Sequence, residues 1–252
     1  MSAIPISILV SACIFAGSLL GLHLHRVLPR AELGKDTQDV VRLGTGMLSV
    51  LASLVLGLLI ATAKTSFDTT TNEIRSYGAD LILLAETFRD YGNAERPRAS
   101  LQHYTERVLA EDWPESGSRG TLTDNREVGA LLEHVREEIR ALKPVDDGQR
   151  YLQNQMLEIS TALLRQRWLL VEQDEPSVRM VLVVVLVAWI TLIFVSFGLN
   201  APRNATVVGA MLICAMAIGG SIFLILQLDR PFDGVMRVSS RPLVNALAHM
   251  QP

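Results

Sequence analysis

The stretch LGTGMLSVLASLVLGLLIATA at residues 43–63 decides how this chain is organised. Its 21 residues include no Asp, Glu, Lys or Arg, and a helix of roughly 20 apolar residues crosses the hydrocarbon core of a bilayer. Three more stretches of comparable length lack these charges, at 1–25, 180–202 and 204–228. A continuous helix also satisfies its own backbone hydrogen bonds, as lipid requires. The sequence therefore predicts four spans, at about 4–25, 43–63, 180–199 and 204–228.

The charged residues are concentrated between the second and third spans. Residues 64–178 hold 35 of the 49 charges, with 21 acidic and 14 basic residues. A chain divided in this way is not one soluble globule, and its 49% hydrophobic content excludes an intrinsically disordered protein. We expect a transmembrane hairpin at 1–63, a polar extramembrane domain at 64–178, a second hairpin at 179–228, and a juxtamembrane turn with a C-terminal helix at 229–252.

The polar domain is predicted to be helical, since its apolar residues recur at intervals of three and four. It contains no stretch of useful length in which apolar and polar residues alternate, as they would in a strand. The fold class is therefore predicted to be all-α, a four-span transmembrane bundle with a helical insert. We expect the apolar stripes to form the core of the insert or a subunit contact. They are Ile74, Tyr77, Leu81, Leu84, Phe88 and Tyr91, then Val128, Leu131, Val135, Ile139 and Leu142, then Leu152, Met156, Ile159 and Leu163.

Local signals predict where several helices begin and end. Asp124 and Glu127 have the spacing of a capping box at a helix start. Gly198 is expected to end the third span, with Asn204 capping the fourth after Pro202. Ser240 suits the N-cap of a C-terminal helix, in which Pro242 is tolerated in the first turn.

The segment after the fourth span has two interpretations. Asp229 and Arg230 mark the membrane boundary, and Pro231 with Gly234 predicts a turn. The segment is a stop-and-anchor device if its apolar residues Phe232, Val235 and Val238 rest at the membrane interface. Alternatively, the tail docks against the insert and fixes an oligomer.

The second span carries a row of small residues on one face. Gly46, Ser49, Ser53 and Gly57 are spaced by three, four and four residues, and Ala61 and Thr65 extend the row. Such a face allows close packing of helices, and Gly17 and Gly21 give the first span a similar one. It also suits the lining of a pore if several copies assemble. No ionisable residue lies inside a span, which argues against a proton-coupled transporter.

Little in the sequence indicates catalysis. The five histidines are scattered, and no pair has metal-ligand spacing with a carboxylate. Phosphate-binding and nucleophile motifs are lacking, and the acidic insert argues against nucleic acid as a partner. We therefore expect a protein without cofactor or metal that is not an enzyme, and whose surroundings are the lipid bilayer.

Two runs resemble the bacterial bestrophin-like domain family. The first is Phe197–Thr206, which contains Gly198, Pro202, Arg203 and Asn204. The second is Leu224–Pro242, and Asp80–Leu84 with Tyr91-Gly92 match less closely. Members tend to carry an acidic residue where this chain has Gln227, and an Asp-Arg pair where it has Ala85-Glu86. The motif residues of the second run are Leu228, Asp229, Arg230, Pro231, Phe232, Gly234, Ser239 and Pro242.

This resemblance implies a distant kinship with bestrophins, which are pentameric anion channels whose second span lines the pore. It implies self-association in a bacterial plasma membrane, an inorganic anion as the transported species, and an insert in the cytosol. Basic residues alone favour an external insert, since the 26–42 loop and Arg203 provide five of them against three in the tail.

Two functional hypotheses follow. The first is a homo-oligomeric anion channel, with Gly46, Ser49, Ser53 and Gly57 facing the conduit. The second is a non-conducting membrane scaffold or sensor whose acidic, amphipathic insert binds a protein partner.

Overall fold

The computed structural model describes residues 3–29, 34–113, 126–172, 178, 180–232 and 235–250. In these ranges the secondary structure is helical, without strands, which confirms the predicted all-α class. The helices are α1 (Ala3–Val27), α2 (Lys35–Tyr91), α3 (Glu95–Asp112), α4 (Arg126–Ala141), α5 (Asp147–Glu172), α6 (Met180–Asn200), α7 (Ala205–Leu228) and α8 (Arg241–Met250).

The chain divides into two compact units. A membrane unit comprises residues 1–66 and 176–229, and a polar unit comprises 67–175 and 230–252. Among the described helices, α1, α2, α6 and α7 are long and apolar enough to cross a membrane. The residues after 229 group with the polar unit, whereas the sequence analysis set them apart as a juxtamembrane segment.

Glycines hold the membrane unit together where α1 packs against α6 and α7. A methyl group added at Gly21 would overlap the carbonyl oxygen of Val195, and one at Gly198 would overlap that of Ser18. A methyl group added at Gly219 of α7 would overlap the side-chain oxygen of Ser11 of α1. Where Gly21 meets Gly198 the two backbones approach so closely because neither helix carries a side chain there, as is common between membrane helices.

Gly198 therefore has a different role from the one expected from sequence. The prediction that it ends the third span is wrong, because α6 continues to Asn200 and Gly198 lies buried inside the helix. A glycine is needed there because a side chain would collide with α1, and not because the helix stops. Asn204 does cap α7, since its Oδ1 accepts a hydrogen bond from Val207 N at 2.9 Å.

The polar unit is built around one continuous apolar core. All six stripe residues predicted on α2, from Ile74 to Tyr91, are buried in it. On α4 the stripe is shifted at one position, because Leu132 is fully buried and Leu131 only partly. Leu142 and Leu152 also pack at the edge of the core and not inside it. The predicted capping box at Asp124 lies outside the described residues.

The C-terminal tail belongs to this core. Phe232, Val238, Leu243, Ala246 and Met250 are all buried there, whereas Val235 is exposed. The interface-anchor interpretation is therefore wrong for Phe232 and Val238, because both side chains are buried in the core of the polar unit. Their burial supports the interpretation in which the tail docks against the insert.

Candidate pore-lining surface

The row of small residues on α2 lies on the outside of the membrane unit. Gly46, Ser53, Gly57, Ala61 and Thr65 are exposed, and Ser49 is half-buried. Another side of α2 faces the rest of the chain, where Ala52, Leu59 and Ala63 are buried. Over its apolar part α2 is the least buried of the four candidate spans. From Ser53 onward the row therefore faces away from the other helices of its own chain.

The glycines of the row make no close contact within this chain. A methyl group added at Gly46 or Gly57 would find no atom within 4 Å among the described residues. Gly21 of α1 and Gly198 of α6 are instead packed against backbone, whereas Gly209 and Gly220 of α7 are as open as the glycines of α2. Close packing inside one chain therefore does not explain the small residues of α2.

The hydroxyl groups of the row are turned back onto their own helix. Ser49 donates to the carbonyl oxygen of Thr45 at 2.8 Å, and Ser53 donates to that of Ser49 at 2.8 Å. Thr45 Oγ1 shares its one proton between Val41 O at 2.7 Å and Ser196 Oγ of α6 at 2.9 Å. Each serine oxygen keeps acceptor lone pairs free for a water molecule. The surface of the row therefore has small side chains and is mildly polar.

A cleft of about 560 Å³ opens at the beginning of this row. It lies between the start of α2, the end of α6 and the start of α7. The sequence predicted Gly46 and Ser49 as lining residues but none of the others. Thr45 could have been predicted, since it stands four residues before Ser49 and so shares its face of the helix. The residues that line the cleft are Arg42, Thr45, Gly46, Ser49, Phe194, Ser196, Phe197, Asn200, Ala201, Val207, Ala210, Met211 and Cys214.

Charge and polarity in the cleft are unevenly distributed. Arg42 is the one charged side chain among the described lining residues, and it stands at the end of the charge-free stretch. Ser196 is buried and receives the hydrogen bond from Thr45. The amide of Asn200 donates to Ser196 O at 3.0 Å. The cleft thus combines apolar walls with a few polar groups and one cation, a composition typical of small-molecule sites.

The motif residues of the tail hold their segment on the polar unit. Trp113 and Phe232 meet edge to face, with ring centroids 5.6 Å apart, and Trp113 Nε1 donates to Val238 O at 2.9 Å. Pro231 O accepts from Val238 N at 2.8 Å, which closes the turn. Pro242 lies directly against Gly78 of α2, where any larger residue would collide. Gly234 lies outside the described residues.

The remaining motif residues lie near the ends of helices. Asp229, the last residue of the membrane unit, accepts a hydrogen bond from Val178 N at 2.9 Å on its carboxylate. Ser239 Oγ accepts from Arg241 N at 3.3 Å, just before α8. Arg203 donates to Leu22 O at 3.2 Å, at the end of α1. These contacts give the motif residues structural roles, at helix termini and in turns.

An ion pair and a tyrosine pair are buried within the polar unit. Arg167 of α5 pairs with Asp112 of α3, and its Nη2 also lies 3.4 Å from Asp112 Oδ1. Burial alone would lower the pKa of Arg167, but the charge of Asp112 and the hydrogen bonds to it raise that pKa above its usual value. Arg167 therefore stays charged, and the pair is a fixed part of the core.

The tyrosine pair lies beside that ion pair. The hydroxyl groups of Tyr77 and Tyr104 hydrogen-bond to each other in the core. Burial, which penalises the phenolate, raises the pKa of Tyr104 to about 12. Burial and then the neighbouring Tyr104 raise the pKa of Tyr77 well above its ordinary value. Both side chains are therefore neutral at physiological pH.

Ala85, Glu86 and Gln227 are the positions where this chain departs from the family that it resembles. Ala85 is buried in the core, and Glu86 pairs on the surface with Arg89 at 2.9 Å. Gln227 is buried near the end of α7. The buried ion pair of this polar unit is instead Asp112 with Arg167, two residues that sequence reasoning did not identify because they are 55 positions apart and follow no local pattern.

The fold and this surface define a four-span helical membrane protein with a helical unit inserted between the second and third spans. A model of the Bestrophin-like domain family matches residues 12–243, and the chain belongs to that family. The comparison with curated proteins found no match.

Solved structures of a bacterial bestrophin homologue from Klebsiella pneumoniae share the fold. One point-mutant form matches with a TM-score of 0.71 and 13% identity, covering 99% of this chain and 97% of that one. A second matches with a TM-score of 0.68 and 13% identity, covering 96% and 97%. A third structure of the homologue gives a TM-score of 0.63 at 13% identity, covering 94% and 97%. At this identity the likeness establishes the fold alone.

Proposed function

We propose that this chain is one subunit of a homo-oligomeric anion channel in which the small-residue face of α2 lines the conduit. The observation that carries the proposal is that Gly46 and Gly57 are exposed and uncrowded in one row with Ser49 and Ser53, whereas Gly21 and Gly198 are packed against a neighbouring helix. A face of small and hydroxylated residues leaves room beside an axis for water and ions. Membership in the Bestrophin-like domain family supports the same assignment.

The charge at one end of the conduit favours anions. Arg42 stands where α2 leaves its charge-free stretch, and no acidic side chain lies between it and Asp68. A guanidinium at a pore mouth raises the local concentration of anions. We assign transport and not catalysis to this protein, and we place it in the plasma membrane of a bacterium as a ring, with five subunits as in the bestrophins that it resembles.

The same layout would place residues 64–178 in the cytosol. The bestrophin arrangement supports this orientation, although the count of basic residues, five against three, favours the opposite one. We give the architecture more weight, because a margin of two basic residues is small beside a layout that extends over residues 12–243.

Liposome flux measurements test conduction directly. Wild-type protein reconstituted in liposomes should release chloride down a gradient, and Ser53→Trp should abolish that release by placing an indole in the conduit. Leu51→Trp is the matched control, because Leu51 is exposed at the same depth of α2 but lies outside the row. Its flux should stay within about twofold of wild type, a difference well under 1 kcal/mol.

Assembly must be measured alongside flux. Both variants should elute at the oligomeric size of wild type in detergent, so that lost flux reports the conduit and not lost assembly. Silence of the wild-type protein across anions, voltages and calcium concentrations would contradict the proposal. Equal flux from Ser53→Trp and wild type would contradict the assignment of the pore face.

A non-conducting scaffold is the second candidate, favoured by apolar side chains on the outside of α5. Tyr151, Trp168 and Leu169 are exposed there, and aromatic residues are enriched in protein interfaces. Purification from native membranes decides between the two. A stoichiometric second protein that is lost in Trp168→Ser, together with silent liposomes, would favour the scaffold.

A further inference from the structure

A second cleft, of about 380 Å³, lies where α1 ends and α7 begins. His23 and Arg26 line it from the last turns of α1, and Arg203 and Asn204 line it from the turn before α7. No acidic side chain is among the described residues of its lining. Two arginines from separate parts of the chain thus face one concave surface whose described lining holds no carboxylate.

The arginines are positioned by the ends of the helices. Arg203 donates to Leu22 O at 3.2 Å, which holds its guanidinium over the end of α1. Arg26 is exposed and makes no ion pair with any described residue. The start of α7 lies at the same surface, since Ala205 lines the cleft and the side chain of Asn204 caps Val207 N. The helix terminus therefore adds a partial positive charge to the two arginines.

The position of the cleft along the spans identifies its environment. Arg26 ends the charge-free stretch that begins at Met1, and Arg203 precedes the one that ends at Leu228. The cleft therefore lies at the depth where a bilayer changes from hydrocarbon to headgroup. Leu22 and Val208 are the lining residues furthest into the membrane. One helical turn beyond them, Leu19 of α1 and Leu212 of α7 are both exposed. A basic cleft thus continues into an apolar surface.

We propose that this cleft binds the headgroup phosphate of an anionic phospholipid, with Arg26 and Arg203 contacting the phosphate and the acyl chains lying along Leu19 and Leu212. The cationic lining requires an anion, and the apolar continuation distinguishes a lipid from a free phosphate ion. This site is separate from the α2 row and does not depend on conduction.

Native mass spectrometry of the purified oligomer tests the proposal. Wild-type protein incubated with equal amounts of phosphatidylglycerol and phosphatidylcholine of the same acyl chains should retain phosphatidylglycerol preferentially. Arg26→Gln should reduce that retention about fivefold, and Arg26→Gln with Arg203→Gln should reduce it by on the order of 25-fold, because each basic residue near a membrane surface contributes a comparable amount.

Two controls keep the test decisive. Lys35→Gln removes one positive charge from the same loop region but not from the cleft, so its retention should equal wild type. Arg203→Lys keeps the charge and should retain most of the lipid. Arg26→Gln carries the test if the double variant fails to fold, because Arg26 is exposed.

The proposal is overturned if wild-type protein retains both lipids equally, or if Arg26→Gln behaves like Lys35→Gln. Inorganic phosphate distinguishes the source of the anion. Retention that persists in excess inorganic phosphate supports a lipid site. Displacement of phosphatidylglycerol by an equal concentration of inorganic phosphate would instead show a site for the free ion and overturn the lipid assignment.

Discussion

The two units of this chain differ in how completely one copy buries its own helices. In the polar unit, buried residues from α2, α3, α4, α5, α8 and the tail form one core. In the membrane unit, α1, α6 and α7 pack through glycines, but α2 leaves Leu54, Leu58 and its small-residue row exposed. The polar unit is therefore complete within one chain. The membrane unit leaves apolar surface on all four spans for lipid or for other copies to cover, and α2 is the least buried of them.

The exposed surface of α2 bears on function because contact with lipid does not account for a row of glycines and serines. Large apolar side chains suit contact with acyl chains, and α2 presents them at Met47, Leu54 and Leu58. Small residues are enriched where helices approach each other or where space is kept open. Since no helix of this chain approaches Gly46 or Gly57 among the described residues, the row is explained by a neighbouring subunit or by a conduit.

The buried ion pair gives the largest expected effect, and it tests whether the polar unit is self-contained. Arg167→Met removes the guanidinium and leaves the carboxylate of Asp112 in the core without it. Breaking a buried pair in this way costs about 3–5 kcal/mol. We expect hydrogen exchange of the α3 and α5 amides to accelerate by at least about a hundredfold.

A double variant is the control for this prediction. Asp112→Leu with Arg167→Met replaces both charges by apolar groups and should recover most of the lost protection, as buried pairs often allow. Unchanged exchange in Arg167→Met would show that contacts outside this unit hold the helices, and would break the comparison between the two units.

The tyrosine pair predicts how the polar unit responds to alkali. The pKa of Tyr104 is about 12 in the folded protein and about 10 in an unfolded chain. The unfolded state therefore loses its proton first, and stability is lost as pH rises from about 10 to about 12, by roughly 3 kcal/mol. Circular dichroism of thermal unfolding across this pH range measures the loss.

Two tyrosine variants separate this effect from other titrations at high pH. Tyr104→Phe should reduce the fall in midpoint between about pH 10 and about pH 12, since it removes one group with a raised pKa. Tyr151→Phe is the matched control, because Tyr151 is exposed, and it should leave the fall unchanged. Identical pH profiles for the two variants would contradict the assignment.

A pair of glycine substitutions compares the packed and the open surfaces of the membrane unit. Gly198→Ala introduces a methyl group that overlaps Ser18 O, and overpacking costs about 1–3 kcal/mol. Gly57→Ala adds the same group in open space and should stabilise its helix by up to about 1 kcal/mol. The thermal midpoint in detergent should fall for the first variant and hold or rise for the second.

The outcome for Gly57→Ala also sharpens the choice between a neighbouring subunit and a conduit. A conduit tolerates the added methyl group without loss of assembly. If the oligomer instead dissociates, Gly57 is packed against another copy, and the pore assignment for that position is wrong.

The sequence predicted the helical features with clear periodicity and missed those set by contacts between distant residues. Charge-free length located the four spans, and the seam from Ile74 to Tyr91 was recognised because every third or fourth residue is apolar. The Asp112–Arg167 pair was not found, since nothing local distinguishes these two residues from other charges of an acidic insert. Gly198 was misread because a glycine near a turn and a glycine at a helix contact look alike in one dimension.

The candidate site was predicted in part, for a related reason. The spacing of Gly46, Ser49, Ser53 and Gly57 shows that they share a face, but it does not show which way that face points. The structure turns the face outward. It also adds Arg42, Thr45 and Ser196, which come together only because α2 packs beside α6. The assignment of the row to a pore stays a prediction.

The smallest expected effect concerns the tail, whose docking makes the polar unit complete. Trp113→Phe keeps an aromatic ring against Phe232 but removes the donor to Val238 O. A hydrogen bond of this kind contributes about 1 kcal/mol, so exchange of the α8 amides should accelerate about fivefold. Trp168→Phe is the control, since Trp168 is exposed and on α5. If the α8 amides exchange at the same rate in both variants, the buried apolar residues alone hold the tail on the polar unit. Packing then completes that core, and this hydrogen bond adds nothing measurable.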